Sequence, residues 1–222
     1  MRIPFRREGC AIVLCLACFA LASVVGAQED CTPEQTSGWS EFSDAPGYVE
    51  ASHGFQYVEW LGEGRDTEPT ANTPDLDLYD DGVSWDPTLV QPGNTFDLTV
   101  TVTISPARSR QQEDLGVWID WDQDTQFEDD EQVVAVTGRW ADPGSNVWVF
   151  PVLVPLDAKM GATWLRARND RTSLTAGTLG PYGFRRYGEV EDHEITVTPE
   201  LSTVSLLLLG AAGIRMCHRR RR

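Results

Sequence analysis

One run of strict alternation constrains this 222-residue chain more than any other feature. Between Thr95 and Ser105, Phe96, Leu98, Val100, Val102 and Ile104 alternate with Thr95, Asp97, Thr99, Thr101 and Thr103. Successive side chains of a strand point to opposite faces, so the run has one apolar face and one threonine-rich face and does not fit a helix. Pro92-Gly93-Asn94 marks a turn before it. Shorter β-patterned stretches fall at Phe55–Leu61, Leu115–Trp121, Gln132–Thr137, Asn146–Val154, Thr163–Arg168 and Val190–Thr198, separated by Gly, Pro, Asn or Asp. Residues 62–88 read as one long loop, and no segment before residue 200 shows apolar residues at helical spacing. The expectation is an all-β domain, an antiparallel β-sandwich of immunoglobulin-like or jelly-roll-like kind, with barrel closure left open.

The two ends differ from this middle. Arg2, Arg6 and Arg7, the apolar stretch Ala11–Val25 and the small residues Val25-Gly26-Ala27 predict a signal peptide over 1–27, with a retained anchor as the alternative. Residues 28–41 are a polar lead-in, and the domain is expected over 42–198. At the other end, 199–222 carries Pro199-Glu200, an apolar run from Val204 to Ile214, and Arg215 with Arg219 to Arg222. That run is too short to cross a bilayer of about 30 Å unaided, and the arginines behind it favour the cytoplasmic side. A short signal helix is therefore expected at each end, with membrane contact through the C-terminal segment.

Charge and cysteines narrow the function. Of the 34 acidic residues, the 33 other than Glu8 lie between Gln28 and Thr203, against ten of the 18 basic ones, a balance of −23. Such a charge repels nucleic-acid phosphates and supplies hard oxygen ligands. Cys31 is the single cysteine outside the leader and tail, so no disulfide staples the domain internally. The sequence contains no G-x-S-x-G, no H-E-x-x-H and no plausible Cys–His pair, so a non-catalytic protein is expected.

The sharpest local signal is Asp120-Trp-Asp122-Gln-Asp124-Thr-Gln126-Phe-Glu128-Asp-Asp-Glu131. Oxygen donors at positions one, three, five, seven, nine and twelve have the spacing of an EF-hand calcium loop, in which alternate residues of a tightly curled segment aim at one centre. Thr125 stands where such a loop places Gly, and strand-like flanks replace the helices. The reading is a Ca²⁺ loop between two strands, set against a solvated acidic turn. A possible second acidic site comprises Asp80, Asp81, Glu189 and Glu191. Arg166 and Arg168, one strand period apart, are candidate partners for the two glutamates, so an ion-pair lock and metal ligation both remain open. His53, in a Gly-flanked stretch, reads as a hydrogen-bonded structural residue. His193, beside the acidic strand, is a candidate for pH-sensitive packing. Tryptophans near the acidic loop offer stacking surfaces for sugar rings, although most lie in strands and belong by default to the core.

Asp44-Ala45-Pro46 with Tyr48 and His53, Asp80-Asp81-Gly82-Val83, Val117 to Asp124 with Glu131-Gln132-Val133, Leu165-Arg166-Ala167-Arg168, and Gly188-Glu189-Val190-Glu191-Asp192 follow one another in the order of a known module. In these residues the chain resembles the GEVED domain. The resemblance implies a β-sandwich module of secreted, often adhesin-like, bacterial proteins. The tail resembles the PEP-CTERM sorting signal, which implies processing after export by an exosortase-type protease, and Leu201 stands at the place of its second proline. Together these lead to an exported protein at the cell surface, associated with the outer membrane or extracellular. Its expected role is that of a calcium-stabilised binding or structural module. The alternative is a carbohydrate-binding module of the exopolysaccharide matrix; expected partners are extracellular polysaccharide or surface proteins.

Overall fold

The computed structural model describes residues 41–65, 79–172 and 178–199, and eleven strands account for most of them. In chain order they are β1 (Glu41–Phe42), β2 (Ala51–Phe55), β3 (Glu59–Leu61), β4 (Val83–Ser84), β5 (Thr95–Ile104), β6 (Gln111–Ile119), β7 (Gln132–Ala141), β8 (Gly144–Leu153), β9 (Gly161–Arg171), β10 (Gly183–Tyr187) and β11 (Val190–Val197). The domain is all-β. Two short 3-10 turns, Pro87–Leu89 and Asp129–Glu131, are the helical elements among the described residues. No helix there is long and apolar enough to cross a membrane. The expected signal segment 1–27 and the apolar tail lie outside the described residues, as does Cys31.

Two sheets make the sandwich. In one, β5 pairs with β3 and β4 along one edge and with β8 along the other. The second runs β11-β9-β6-β7, antiparallel throughout. The alternation in β5 explains why they close: Phe96, Leu98, Val100, Val102 and Ile104 are buried against Leu115, Val117 and Ile119 of β6 and Leu165 and Ala167 of β9. The opposite face of β5 carries the threonines, so one strand supplies both a core surface and an outer surface.

A third layer lies on the other side of β9. There β1-β2-β10 form a small sheet in which β10 runs parallel to β2. Strand β9 is consequently buried on both faces from Leu165 to Asp170. Leu165 and Ala167 enter the apolar core, whereas Arg166 and Arg168 point into the layer below the small sheet.

The aromatic stretch Phe55–Leu61, expected as one strand, is divided. Phe55 ends β2, residues 56–58 turn, and β3 begins at Glu59 in a different sheet. The division follows from Gln56, whose fully buried side chain donates to the Glu189 Oε1 at 2.9 Å and to Glu41, holding the chain where it crosses between layers. The expected loop 62–88 contains β4 within its described part, paired to Val100 and Thr99. Strand β10 was not expected, because pairing parallel to a distant strand leaves no local pattern. Strands β1 and β2 likewise fall before the first expected stretch, whereas β5, β6, β7, β8, β9 and β11 lie where the alternation puts them, to within a few residues at their ends.

Leu98 is fully buried in the main core, so Leu98→Ala should lower unfolding stability by about 2–5 kcal/mol. Val149, on the outer face of β8 and 54% exposed, should lose under ~1 kcal/mol when changed to Ala. Urea titrations of the two variants would show the contrast.

Candidate metal centre and buried carboxylate frame

The acidic loop leaves the end of β6 and returns into β7. The β6–β7 register shifts between Val117 and Trp118, so the strand bends just before the loop begins. Asp120 is fully buried and fixed on every side. Its backbone N–H donates to the Trp164 carbonyl at 3.1 Å and its own carbonyl accepts from the Thr163 hydroxyl at 2.5 Å. Its carboxylate accepts from Asp124 N–H (3.2 Å), Thr125 N–H (3.0 Å) and the Tyr48 hydroxyl (2.5 Å). Burial, then the hydrogen bond to Asp120, pushes the Tyr48 hydroxyl well up, so it remains a donor.

Those two amide bonds curl the loop. The curl places Gln123 at φ 55° and Thr125 at φ 70°, a left-handed conformation disfavoured for side-chain-bearing residues and most of all for a β-branched one. Thr125 therefore adopts the turn that Gly would adopt at lower cost. One oxygen each from Asp120, Asp122 and Asp124 then lies within 4.8 Å of the others. Asp122 and Asp124 face solvent and Asp120 forms the buried floor. An all-oxygen set of this kind, anchored from behind by backbone amides, fits a hard cation such as Ca²⁺.

The other candidate ligands are placed differently. Glu131 turns back beneath the loop, accepting from Trp121 N–H (2.7 Å), Asp122 N–H (3.4 Å) and Glu128 N–H (3.3 Å). With Glu128 it forms a reciprocal cap on the 3-10 turn. Burial pushes its carboxyl up to about 8, aided by Glu128 and the Asp120 charge. The Gln126 side chain donates to Asp124 Oδ2 at 2.9 Å, which leaves its backbone carbonyl as the donor at position seven.

The four residues of the second acidic set do not converge in the same way. Glu189 accepts from Leu61 N–H (2.5 Å) and Gln56 (2.9 Å). Glu191 accepts from Gly82 N–H (3.0 Å) and lies 3.0 Å from His193 Nε2. Asp81 accepts from Glu63 N–H at 2.9 Å; burial, with a smaller contribution from the Asp81 charge, keeps the Glu191 carboxyl raised. Gly82 has no room for a side chain, since a Cβ would sit 2.6 Å from both Glu191 Oε1 and Gly62 N.

The candidate pairing of Arg166 and Arg168 with these glutamates does not occur. Strand alternation sends Glu189 and Glu191 toward β3 and β4, and Asp192 to the opposite side with the arginines. There Arg166 grips Asp192 in a two-pronged pair, Nε to Oδ1 at 2.7 Å and Nη2 to Oδ2 at 2.8 Å, with both side chains fully buried. Its Nη1 donates to the carbonyls of Val49 and Pro181. Asp192 Oδ2 also accepts from Asp44 and Ala45 N–H, at 2.9 and 2.8 Å. Arg168 donates to carbonyls of Ser52, Gly180, Tyr182 and Gly183, and its Nε reaches His53 Nε2 at 3.1 Å. His53 in turn donates from Nδ1 to the Tyr187 carbonyl, and burial followed by the Arg168 charge holds it neutral. The two arginines thus tie β2, β10 and the 44–49 segment to β9.

A further pair of buried acids went unrecognised in the sequence, because Glu59 and Glu113 are 54 residues apart in unremarkable stretches. Both are fully buried near Arg171, which donates to Glu59 at 2.7 Å. Burial pushes Glu59 up to about 7 and Glu113 up to about 10, the latter also raised by Glu59.

The fold and site define an all-β module braced by buried carboxylates, with a cation-compatible loop at one end. Residues 114–196, from β6 through β11, match the family model of the GEVED domain. No curated protein matches the chain. The match bears on class, that of an extracellular or surface module. The Asp44-Ala45-Pro46 and Asp80 to Val83 segments precede the matched span, yet their backbone amides are held by Asp192 and Glu191 within it.

Two outcomes follow. Asp192→Asn should cost about 3–5 kcal/mol, since it leaves Arg166 buried without its counter-charge; chemical denaturation reads this directly. The folded chain also holds protons on Glu59 and Glu113 that an unfolded carboxyl, titrating near 4.5, has released by neutral pH. Their contribution is therefore full at acid pH and declines as pH rises through about 7 toward about 10. Urea midpoints should fall from pH 7 to pH 9, and Glu113→Gln should flatten that slope.

Proposed function

We propose that this protein is a non-catalytic, exported surface or matrix module whose domain is stabilised by Ca²⁺ at Asp120, Asp122 and Asp124. The observation that carries the reading is the buried, amide-anchored Asp120 with two solvent-facing aspartates beside it. Three carboxylates so close repel one another, and a divalent cation offsets that repulsion. With no internal disulfide between Gln28 and Thr203, such an ion is the available staple across the β6–β7 connection. The Gln126 carbonyl and water complete the shell. Glu128 and Glu131 act behind it by shaping the 3-10 turn.

Export through the 1–27 leader, exosortase-type processing near Pro199 and membrane contact through the tail belong to the same reading. The acidic surface keeps such a domain soluble and away from nucleic acid. Binding of extracellular polysaccharide by tryptophans beside the acidic loop is less favoured, because Trp118 and Trp121 are 2% and 5% exposed.

Isothermal titration of the protein with CaCl₂ should give a saturable signal, and thermal unfolding should shift upward with Ca²⁺. Asp122→Asn should weaken both with little change in the Ca²⁺-free unfolding temperature. Thr125→Gly should strengthen both, by relieving strain of about 1–3 kcal/mol. Absence of any Ca²⁺ heat and any thermal shift would refute the proposal.

A further inference from the structure

The charged side chains outside the buried frame are unevenly distributed along the strands. The acidic loop follows the end of β6 and precedes the start of β7, and the 155–158 turn joins it there through Lys159 N–H donating to the Trp121 carbonyl at 2.8 Å. Between them lies a cleft of about 420 Å³, within the common range of ligand pockets at about 300–1,000 Å³. Its lining includes Trp121, Asp122, Glu128, Asp130, Glu131 and Asp157 and carries no basic residue.

The opposite ends of β6 and β7, about 30 Å away at roughly 3.4 Å per residue, have another character. Arg108 and Arg110 precede β6, and Arg139 and Trp140 lie near the end of β7. Among the described residues, the exposed cations are Arg108, Arg110, Arg139 and Lys159, and three of these four are at this end. Trp140 is the exposed tryptophan of the described set, 51% exposed, while Trp60, Trp118, Trp121 and Trp148 are buried. Arg110 lies 5.1 Å from its ring centroid. Among the described residues, the contact that competes for that guanidinium is an ion pair with Asp142 at 3.2 Å whose side chains are 56% and 74% exposed. Such an exposed pair is weak and exchangeable.

We propose that the domain associates head to tail with a second copy of itself, the Trp140–Arg110 projection of one copy entering the acidic cleft of the next. Tryptophan and arginine are the residues that most often dominate protein interfaces, and here they project from the one end that is not acidic. The cleft supplies concave shape and carboxylates, so each end offers what the other lacks. The two surfaces are different patches about 30 Å apart, so the contact is heterologous and extends into open chains rather than closing as a two-fold dimer. At physiological salt the Debye length is about 8 Å, so the local match outweighs repulsion between distant acidic surfaces. The proposal does not require Ca²⁺, since Asp130 and Asp157 are outside the aspartate trio.

Sedimentation velocity of the purified protein, in chelator and in Ca²⁺, tests it. Wild type should form species that grow with concentration at 50 mM NaCl and dissociate at 500 mM. Trp140→Ala with Arg110→Gln should raise the dissociation constant about thirtyfold or more, as should Asp130→Asn with Asp157→Asn. Circular dichroism would establish that both variants fold. Each variant alone should be monomeric, whereas an equal mixture should give dimers that grow no further, because one supplies an intact projection and the other an intact cleft. Wild type that stays monomeric in both buffers overturns the proposal. So does a mixture no more associated than its components. A failed Ca²⁺ titration leaves either result intact.

Discussion

The two-pronged pair between Arg166 and Asp192 is the constraint on which the rest of the domain depends. Both groups are fully buried, and isolated burial of either charge would be costly. Each is therefore surrounded by further hydrogen bonds, Asp192 to the Asp44 and Ala45 amides and Arg166 to the Val49 and Pro181 carbonyls. These contacts gather four distant parts of the chain at one point and set the small third sheet against the sandwich. Arg168 repeats the arrangement one strand period along, with His53 and four carbonyls in place of a carboxylate.

This gives a physical meaning to the Gly188–Asp192 signature. Gly188 adopts φ 82°, and a side chain there would overlap the Asn169 carbonyl. Glu189 holds Gln56 at the crossing and Leu61 at the end of β3, Val190 is buried, Glu191 holds Gly82 before β4, and Asp192 holds Arg166 and the entry segment. Acid side chains do work here that loop backbones cannot do for themselves: they satisfy buried amides that no neighbouring strand reaches. The excess of carboxylates inside the protein is thus largely structural. The surface acids are a separate population, concentrated at the end where the loop after Asp120 emerges.

That separation also orders the polarity of the domain. The same β6 strand carries Arg110 before its first residue and Asp120 after its last. Its length keeps the two charge characters far enough apart to be screened from one another. A cation-compatible loop and an arginine–tryptophan projection therefore coexist on a strongly acidic protein.

Much of this was legible along the chain. Period-two alternation determined β5 and, with turn residues, the positions of β6, β7, β8, β9 and β11, because alternation is local and follows directly from strand geometry. The one-three-five spacing of Asp120, Asp122 and Asp124 likewise determined that their oxygens could meet, since a curled loop needs no distant partner to bring them together. Tertiary structure alone decided the rest. It gave Arg166 to Asp192 rather than to Glu191, turned Glu131 under the loop, paired β10 in parallel with β2, brought Glu59 beside Glu113 and left Trp140 outside while burying Trp60, Trp118 and Trp148. Each of these depends on which faces meet across sheets, and a side chain's partner there is set by packing between residues far apart in sequence.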